Sequence, residues 1–191
     1  MEICFCGRSN VGKSSLLNRL VQRRALARVS NTPGRTQAIN VFAVTLLRGE
    51  QRREVHFVDL PGYGFAKAPE SVRKAWRPMM ESYFRRNSHL RAAVSLFDVR
   101  REPSGQDLDF VELMGHFGIP ALPVVTKIDK EGLGRRAAAM KAIAEALGIE
   151  DWRALHAVSA QTSEGIPALL EALWEVTDPP AADKPEGEHA P

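Results

Sequence analysis

An α/β domain is what this sequence predicts: a mostly parallel six-stranded sheet with one antiparallel edge strand and helices on both faces. Three observations lead there. Short apolar runs alternate with longer helix-like segments along most of the chain, the pattern of strands joined by crossover helices. A charged stretch, Arg48–Arg53, joins two strand-like runs as a hairpin would, which makes one edge antiparallel. A glycine-rich stretch, Gly7–Ser14, sits where the first strand passes into the first helix.

Element by element, Glu2–Cys6 is a strand that ends at Gly7, and Lys13–Gln22 is a helix. Ser30–Gln37 contains Pro33 and Gly34 and reads as an exposed loop. Asn40–Leu47 and Glu54–Asp59 are strand-like, followed by the glycine-rich loop Leu60–Lys67 and a helix over Glu70–Arg86. Pro78 is expected to kink that helix or to mark its true start. Ala92–Asp98 is a strand, Gln106–Phe117 a helix, and Ala121–Thr126 a strand opened by Pro120. Gly134–Leu147 is an Ala-rich helix, Leu155–Val158 a short last strand, and Ser163–Val176 an amphipathic helix. No internal repeat is present. From Asp178 the chain reads DPPAADKPEGEHAP, with four Pro and no large apolar side chain. Such a tail cannot bury enough surface to offset its conformational entropy. The expected division is therefore a domain over 1–177 and a disordered tail over 178–191.

The 191 residues suit one domain, and 44% apolar with 26% charged residues excludes wholesale disorder. No run approaches the 18 or so apolar residues of a membrane span, and MEICFCGR lacks the basic region of a signal peptide. Two Cys at positions 4 and 6 cannot make a disulfide framework, so a reducing cytoplasm is expected. The net charge of +3 hides a split: residues 1–101 carry 19 basic and 7 acidic side chains, and residues 102–191 carry 7 and 16. An anionic partner for the first half, nucleic acid before membrane, is one reading; a surface dipole is the other.

Four motifs carry the chemistry. Gly7-Arg8-Ser9-Asn10-Val11-Gly12-Lys13-Ser14, followed by Ser15, matches GxxxxGK[ST] between a strand and a helix. Its glycines let the backbone wrap a phosphate, and the helix N-terminus offers unpaired N–H groups. Lys13 would neutralise the β/γ-phosphates and the Ser14 hydroxyl would ligate Mg²⁺. Asp59-Leu60-Pro61-Gly62 follows a strand 45 residues after Ser14. Asp59 can hold a water of the Mg²⁺ shell, and Gly62 lets an N–H approach the γ-phosphate. Thr126-Lys127-Ile128-Asp129 closes another strand. Asp129 can accept from guanine N1 and N2, which selects GTP over ATP, while the Lys127 stem lies along the purine. After the last strand, Val158-Ser159-Ala160 can offer a backbone N–H to guanine O6.

With these motifs the sequence resembles P-loop NTPases with a Ras-like GTPase domain, in the translation-factor-related class. Within it, GRSNVGKSSLLN, TPGRTQAINVF, DLPGYGFAK, TKIDK and VSAQTSEG are similar to the bacterial EngB (YsxC or YihA) family, over residues 7 to about 165. That resemblance implies a Mg²⁺-dependent GTPase switch acting in large-ribosomal-subunit assembly and linked to cell division. It places Gly34, Arg35, Thr36, Gln37 and Ala38 at the nucleotide, with Thr36 as the switch threonine on Mg²⁺ and γ-phosphate. Lys13, Thr36 and Gly62 would be the catalytic set, and Ser30–Ile39 and Leu60–Lys67 the two switch loops. The implied partners are the large-subunit precursor and its rRNA, with no membrane or DNA, and the protein is expected to be a monomer. By likeness to related GTPases, Asn10 is a candidate potassium ligand; the alternative is a hydrogen bond within its loop. EngB-like proteins carry some twenty residues before a first strand that here begins at Glu2, so the start is misassigned or an N-terminal segment is missing. Thr126 stands where the generic motif has Asn, and Tyr63 where many GTPases place a water-orienting Gln. Slow intrinsic hydrolysis follows, open to stimulation by a finger, an activator or potassium.

Other features are set aside or left double. Cys4-x-Cys6 has no second Cys pair and faces one side of a buried strand; His56 and His116 read as structural or surface residues. Val72, Trp76, Met80 and Tyr83 are expected to form a core stripe, with a stacking platform for RNA bases as the alternative, and Arg73, Lys74, Arg77, Arg85 and Arg86 a phosphate-contacting face. Arg19, Arg23, Arg24 and Arg28 form a second basic cluster. Two rival functions remain: an RNA-binding module with purely structural nucleotide, and a P-loop kinase or ATPase, against which Asp129 argues.

Overall fold

β1 (Glu2–Gly7) has no polar side chain between Ile3 and Cys6, and all four of these residues lose their exposure completely. A strand buried on both faces needs a layer of helix on each. The computed structural model, which describes residues 1–21, 39–64 and 70–178, supplies both. Ile3 and Phe5 pack with Leu16 and Leu17 of α1 (Lys13–Leu20) and Leu169 and Leu173 of α5 (Ile166–Glu175). Cys4 and Cys6 point the other way, against Met80 and Phe84 of α2 (Glu70–Arg86) and Phe110 and Met114 of α3 (Gly105–His116). Both are free cysteines, and burial, the dominant effect, pushes both thiols up, Cys6 to about 12, so they are core residues.

The remaining strands are β2 (Asn40–Arg48), β3 (Gln51–Asp59), β4 (Leu90–Asp98), β5 (Ala121–Thr126) and β6 (His156–Ala157). The sheet order is β2-β3-β1-β4-β5-β6. Only β2 runs antiparallel, pairing with β3 from Asn40↔Asp59 to Arg48↔Gln51. β1 pairs in parallel with β3 and β4, β4 with β5, and β5 with β6. α4 (Leu133–Ala146) sets Met140, Ile143 and Ala144 on Phe97 and Val125. The carboxyl ends of the five parallel strands therefore share one edge. α1 leaves β1 toward one face and α3 leaves β4 toward the other, which makes that edge beside β1 and β4 the switch point where such sheets bind ligands. Among the described residues no helix is long and apolar enough to cross a membrane.

Several boundaries differ from the sequence reading. The hairpin strands reach Arg48 and Gln51, so the turn is only Gly49-Glu50, with Gly49 in the left-handed region (φ 58°). Charged residues are tolerated on these strands because most of them face water, and half-buried Arg53 has partners. It donates to the Trp174 carbonyl (2.9 Å), Thr177 Oγ1 (2.7 Å) and Asp178 (2.6 Å). Asp178 is thus tied to the fold; residues 179–191 lie outside the described ones. α2 runs on through Pro78, which neither starts it nor ends it, because Pro78 is exposed and water can satisfy the Lys74 carbonyl. α5 begins at Ile166, since Ser163 (φ 67°) and Gly165 (φ 74°) are left-handed. The β6 ladder spans two residues. The stripe expected on α2 holds for Met80, fully buried, and for Trp76 and Tyr83, which are half-buried; the side chains of Val72 and Arg73 lie outside the described set.

Candidate functional site

The loop after β1 is shaped by residues that fit nowhere else. A Cβ on Gly7 would stand 2.9 Å from Val11 Cγ1 and 3.0 Å from the Leu96 carbonyl. Gly12 has φ 109°, and Asn10 has φ 64°, a region that Asn tolerates better than most residues. Val11 N–H closes the turn onto the Arg8 carbonyl (3.1 Å), and α1 starts at Lys13 with first-turn N–H groups that have no intrahelical partner. The exposed Asn10 amide makes no hydrogen bond among the described residues, so its backbone angle is the structural reason found for Asn here.

Lys13 and Asp59 meet at the centre. The ammonium, 8% exposed, contacts the Asp59 carboxylate at the end of β3, 4% exposed. Burial pulls Lys13 down to about 8, and the carboxylate beside it favours the charged form. Ser14 follows Lys13 at the start of α1. The Ser14 hydroxyl next in sequence and the Asp59 carboxylate are both oxygen donors, the chemistry that suits Mg²⁺ shared with phosphate oxygens. Among the described residues no group of three or more His, Cys, Asp or Glu could hold a metal by itself. Gly62 is packed against this loop: a Cβ there would lie 3.0 Å from the Gly7 carbonyl. Ser9 N–H donates to the Tyr63 carbonyl at 2.9 Å.

On the far side of the loop, a cavity of about 200 Å³ is bounded by Gly12, Ser15, Leu16, Thr126, Lys127, Asp129, Lys130, Val158, Ala160 and Gln161. Its polar wall is built around Asp129. Ser159, fully buried, donates to Asp129 Oδ1 at 2.7 Å, and Lys130 stands 3.1 Å from Oδ2. The Ser159 hydrogen bond, with help from Lys130 and against the effect of burial, holds the Asp129 carboxyl below its ordinary value. An ionised carboxylate here retains lone pairs for two N–H donors. Arg19 of α1 donates to the Ala160 (2.7 Å) and Gln161 (3.3 Å) carbonyls and fixes the loop after β6. Ile128 itself is buried beneath the site, and Leu60 and Pro61 are buried beside the loop.

Thr126 links two elements of the site. Its hydroxyl donates to the Val11 carbonyl at 2.6 Å, with the Phe97 carbonyl 3.0 Å away, and so ties the end of β5 to the phosphate loop. Thr126→Val keeps the shape and leaves the Val11 carbonyl without this donor. The expected cost is about 1–3 kcal/mol, read by urea unfolding; an unchanged midpoint would refute the role.

Sequence reading missed Asp98. At the end of β4 and 8% exposed, it accepts from Lys127 Nζ (2.9 Å) and from Arg100 Nε (2.9 Å) and Nη2 (2.7 Å). Lys127 also donates to the Asn10 carbonyl at 2.5 Å, and its φ of 61° turns it across the loop. Burial alone would raise the Asp98 carboxyl, but the Arg100 and Lys127 hydrogen bonds outweigh it and hold it far below the carboxylate range. A depressed folded value stabilises the protein above the unfolded pKa and is lost as pH falls below it. Asp98→Asn is therefore expected to be less stable at pH 7 and to show a flatter loss of stability below about pH 4. Parallel acid-unfolding curves would contradict this. A carboxylate ending an apolar run is the available signal for Asp98; Arg19 stands out in the sequence only as part of a basic cluster, and nothing there points it to the Ala160 and Gln161 carbonyls.

Gly34, Arg35, Thr36, Gln37 and Ala38 lie outside the described residues, as do Arg23, Arg24, Arg28, most of the first switch segment, and residues 65–67 of the second. Of the basic residues on α2, Lys74 and Arg77 pair with Glu70 and Glu81 one turn away, while Arg85 and Arg86 are exposed.

Known proteins share this arrangement. The model of the family described as 50S ribosome-binding GTPase matches residues 2–127. A probable GTP-binding protein EngB of Syntrophotalea carbinolica is 46% identical, over 98% of this chain and 88% of its own length. One from Desulfitobacterium hafniense is 43% identical, over 92% of this chain and 84% of its own. A crystal structure of a probable GTP-binding protein EngB superposes with TM-score 0.71 at 22% identity, covering 92% of this chain and 98% of that one. Aquifex aeolicus Era bound to GDP and aluminium fluoride superposes with TM-score 0.74 at 17% identity, covering 94% of this chain and 57% of that one. These structural matches speak for the fold, a P-loop GTPase domain, while the sequence matches speak for the family. A phosphate loop, a carboxylate-lined base pocket and identity above 40% over nearly the whole length give one conclusion: this chain belongs to the EngB family of GTP-binding proteins, a family of GTPases.

Proposed function

We propose that this protein is a cytoplasmic, monomeric switch that binds Mg²⁺-GTP or GDP and, in its GTP form, docks on a precursor of the large ribosomal subunit. The observation that carries the reading is the shared edge: the Lys13–Asp59 contact and the Asp129–Ser159 pair flank one loop, as a nucleoside phosphate requires. Gly7 to Ser15 wrap the phosphates, Lys13 neutralises them, and Gly62 N–H meets the γ-phosphate. Ser14, Thr36 and Asp59 would hold Mg²⁺, which when bound would offset charge developing on the phosphate oxygens. Lys127 walls the base pocket, Asp129 accepts from guanine N1 and N2, and Ala160 N–H donates to O6. Residues 34–38 complete the site by family resemblance.

Hydrolysis is by in-line attack of water and is slow. Tyr63, at the position after Gly62, is 5% exposed with its hydroxyl committed to Asp107, so it orients no water. A potassium ion at the exposed Asn10 is one route to stimulation; equal turnover in potassium and sodium buffers would remove it. The link to large-subunit assembly and cell division rests on family membership, and the basic first half supports an rRNA partner. Co-sedimentation with ribosomal subunits tests the reading: pelleting is expected with a non-hydrolysable GTP analogue, much less with GDP, and less at high salt. Pelleting that ignores the nucleotide would favour a plain RNA-binding module instead.

A further inference from the structure

Two residues that no motif contains, Trp76 and Asp107, hold the segment Pro61-Gly62-Tyr63 in place. The Tyr63 ring sits edge-on to Trp76 of α2, centroids 5.3 Å apart, and 5.7 Å from Phe110 of α3. Its hydroxyl donates to Asp107 Oδ1 at 2.8 Å. Asp107 is 3% exposed, and its other oxygen accepts from the N–H (2.7 Å) and hydroxyl (2.6 Å) of Ser104 at the start of α3. This buried carboxylate is thus satisfied by three neutral donors, and Tyr63 is one of them. The Trp76 indole N–H donates to the Pro61 carbonyl at 2.9 Å. On the opposite side the phosphate loop grips the same segment, with Tyr63 N–H directed at the Gly7 carbonyl (3.4 Å) and Ser9 N–H at the Tyr63 carbonyl (2.9 Å).

We infer that Trp76, Tyr63 and Asp107 are positioning residues that fix Gly62 for the γ-phosphate, with α2 and α3 as their anchors. The inference rests on Gly62 being the γ-phosphate contact proposed above. Gly62 stands between two side-chain hydrogen bonds, one at each neighbour, and packs so close to the phosphate loop that a Cβ would lie 3.0 Å from the Gly7 carbonyl. Its N–H is therefore held in a set place, and a triphosphate binds without first having to order the segment. A diphosphate makes no contact at Gly62 and gains nothing from this arrangement. The clamp acts on GTP and not on GDP.

The test uses Tyr63→Phe, which removes one hydroxyl, and Trp76→Phe, which removes one N–H while keeping an aromatic ring. Affinities for GDP and for a non-hydrolysable GTP analogue with Mg²⁺ are measured on the full chain, with Gly62→Ala as reference. Each Phe variant is expected to bind GDP as the unmodified protein does and the analogue about fivefold or more weakly, at the low end of typical coupling between sites. A role confined to stability would lower the melting temperature and leave the ratio of the two affinities unchanged. If that ratio is unchanged in both Phe variants but altered in Gly62→Ala, the clamp is overturned and the γ-phosphate contact stands. If Gly62→Ala also leaves it unchanged, the contact itself is wrong.

Discussion

Asp129→Asn is expected to weaken GTP binding by about 10²–10⁴-fold and to create a preference for xanthosine nucleotides. Two hydrogen bonds to a charged acceptor, at roughly 1.5–3 kcal/mol each, set that range. The carboxylate offers only acceptors, and guanine N1 and N2 offer donors. An amide replaces one acceptor by an N–H₂ donor that confronts the guanine amino group. Xanthine has a carbonyl at that carbon, so the same amide becomes complementary to it. The Ser159 hydroxyl favours this result, because it can still donate to the amide oxygen and hold the group in the orientation it gives Asp129. Competition between GTP, XTP and ATP for the unmodified and variant proteins checks it. A variant that loses GTP without gaining XTP would mean that Asp129 only supports the loop after β6, and ATP binding as tight as GTP in the unmodified protein would remove guanine selection altogether.

Much of this site could be read from the chain because its demands are local. Gly12 and Gly7 are there for backbone angles and close approach, and such needs leave a fixed spacing in the sequence. The same holds for Asp59, a carboxylate where an apolar run stops, and for Asp129, three residues past the end of β5. The fold was legible for a similar reason, since strands buried on both faces read as apolar runs. What could not be read is what distance in sequence hides. Arg19 meets Ala160 across 141 positions, and Tyr63 meets Asp107 across 44. Tyr63 was visible as the replacement of a usual Gln, but nothing nearby announced that its hydroxyl would turn into the core. The hairpin strands run longer than composition suggests for the opposite reason. Arg52 and Arg53 look like turn residues by composition, yet Arg53 stacks over Trp174, its guanidinium 4.1 Å from the ring centroid. An arginine so placed stabilises a strand as an apolar residue would.

The largest effect on stability is expected at Lys13, for a reason separate from nucleotide binding. Lys13 and Asp59 are both nearly removed from water and are each other's counter-charge. Taking away one member of such a pair leaves a buried, uncompensated charge, at about 3–5 kcal/mol. Lys13→Met should therefore destabilise the nucleotide-free protein by that amount, a fall of roughly 6–20 °C in melting temperature for a chain of this size. Asp59→Asn should be milder. The remaining lysine keeps an amide acceptor, and burial already draws its proton affinity down to about 8, so it can shed its charge at modest cost. The double variant, Lys13→Met with Asp59→Asn, removes both charges and should be more stable than Lys13→Met alone. That rescue separates an electrostatic pair from two independent packing positions. If the losses simply add, as they do for sites without a shared partner, Asp59 is not the counter-charge of Lys13 and the contact between them contributes nothing. Nucleotide affinity gives the second axis of the same experiment. The rescued double variant should still fail to bind GTP, because its stability has been restored without the cation that the phosphates need.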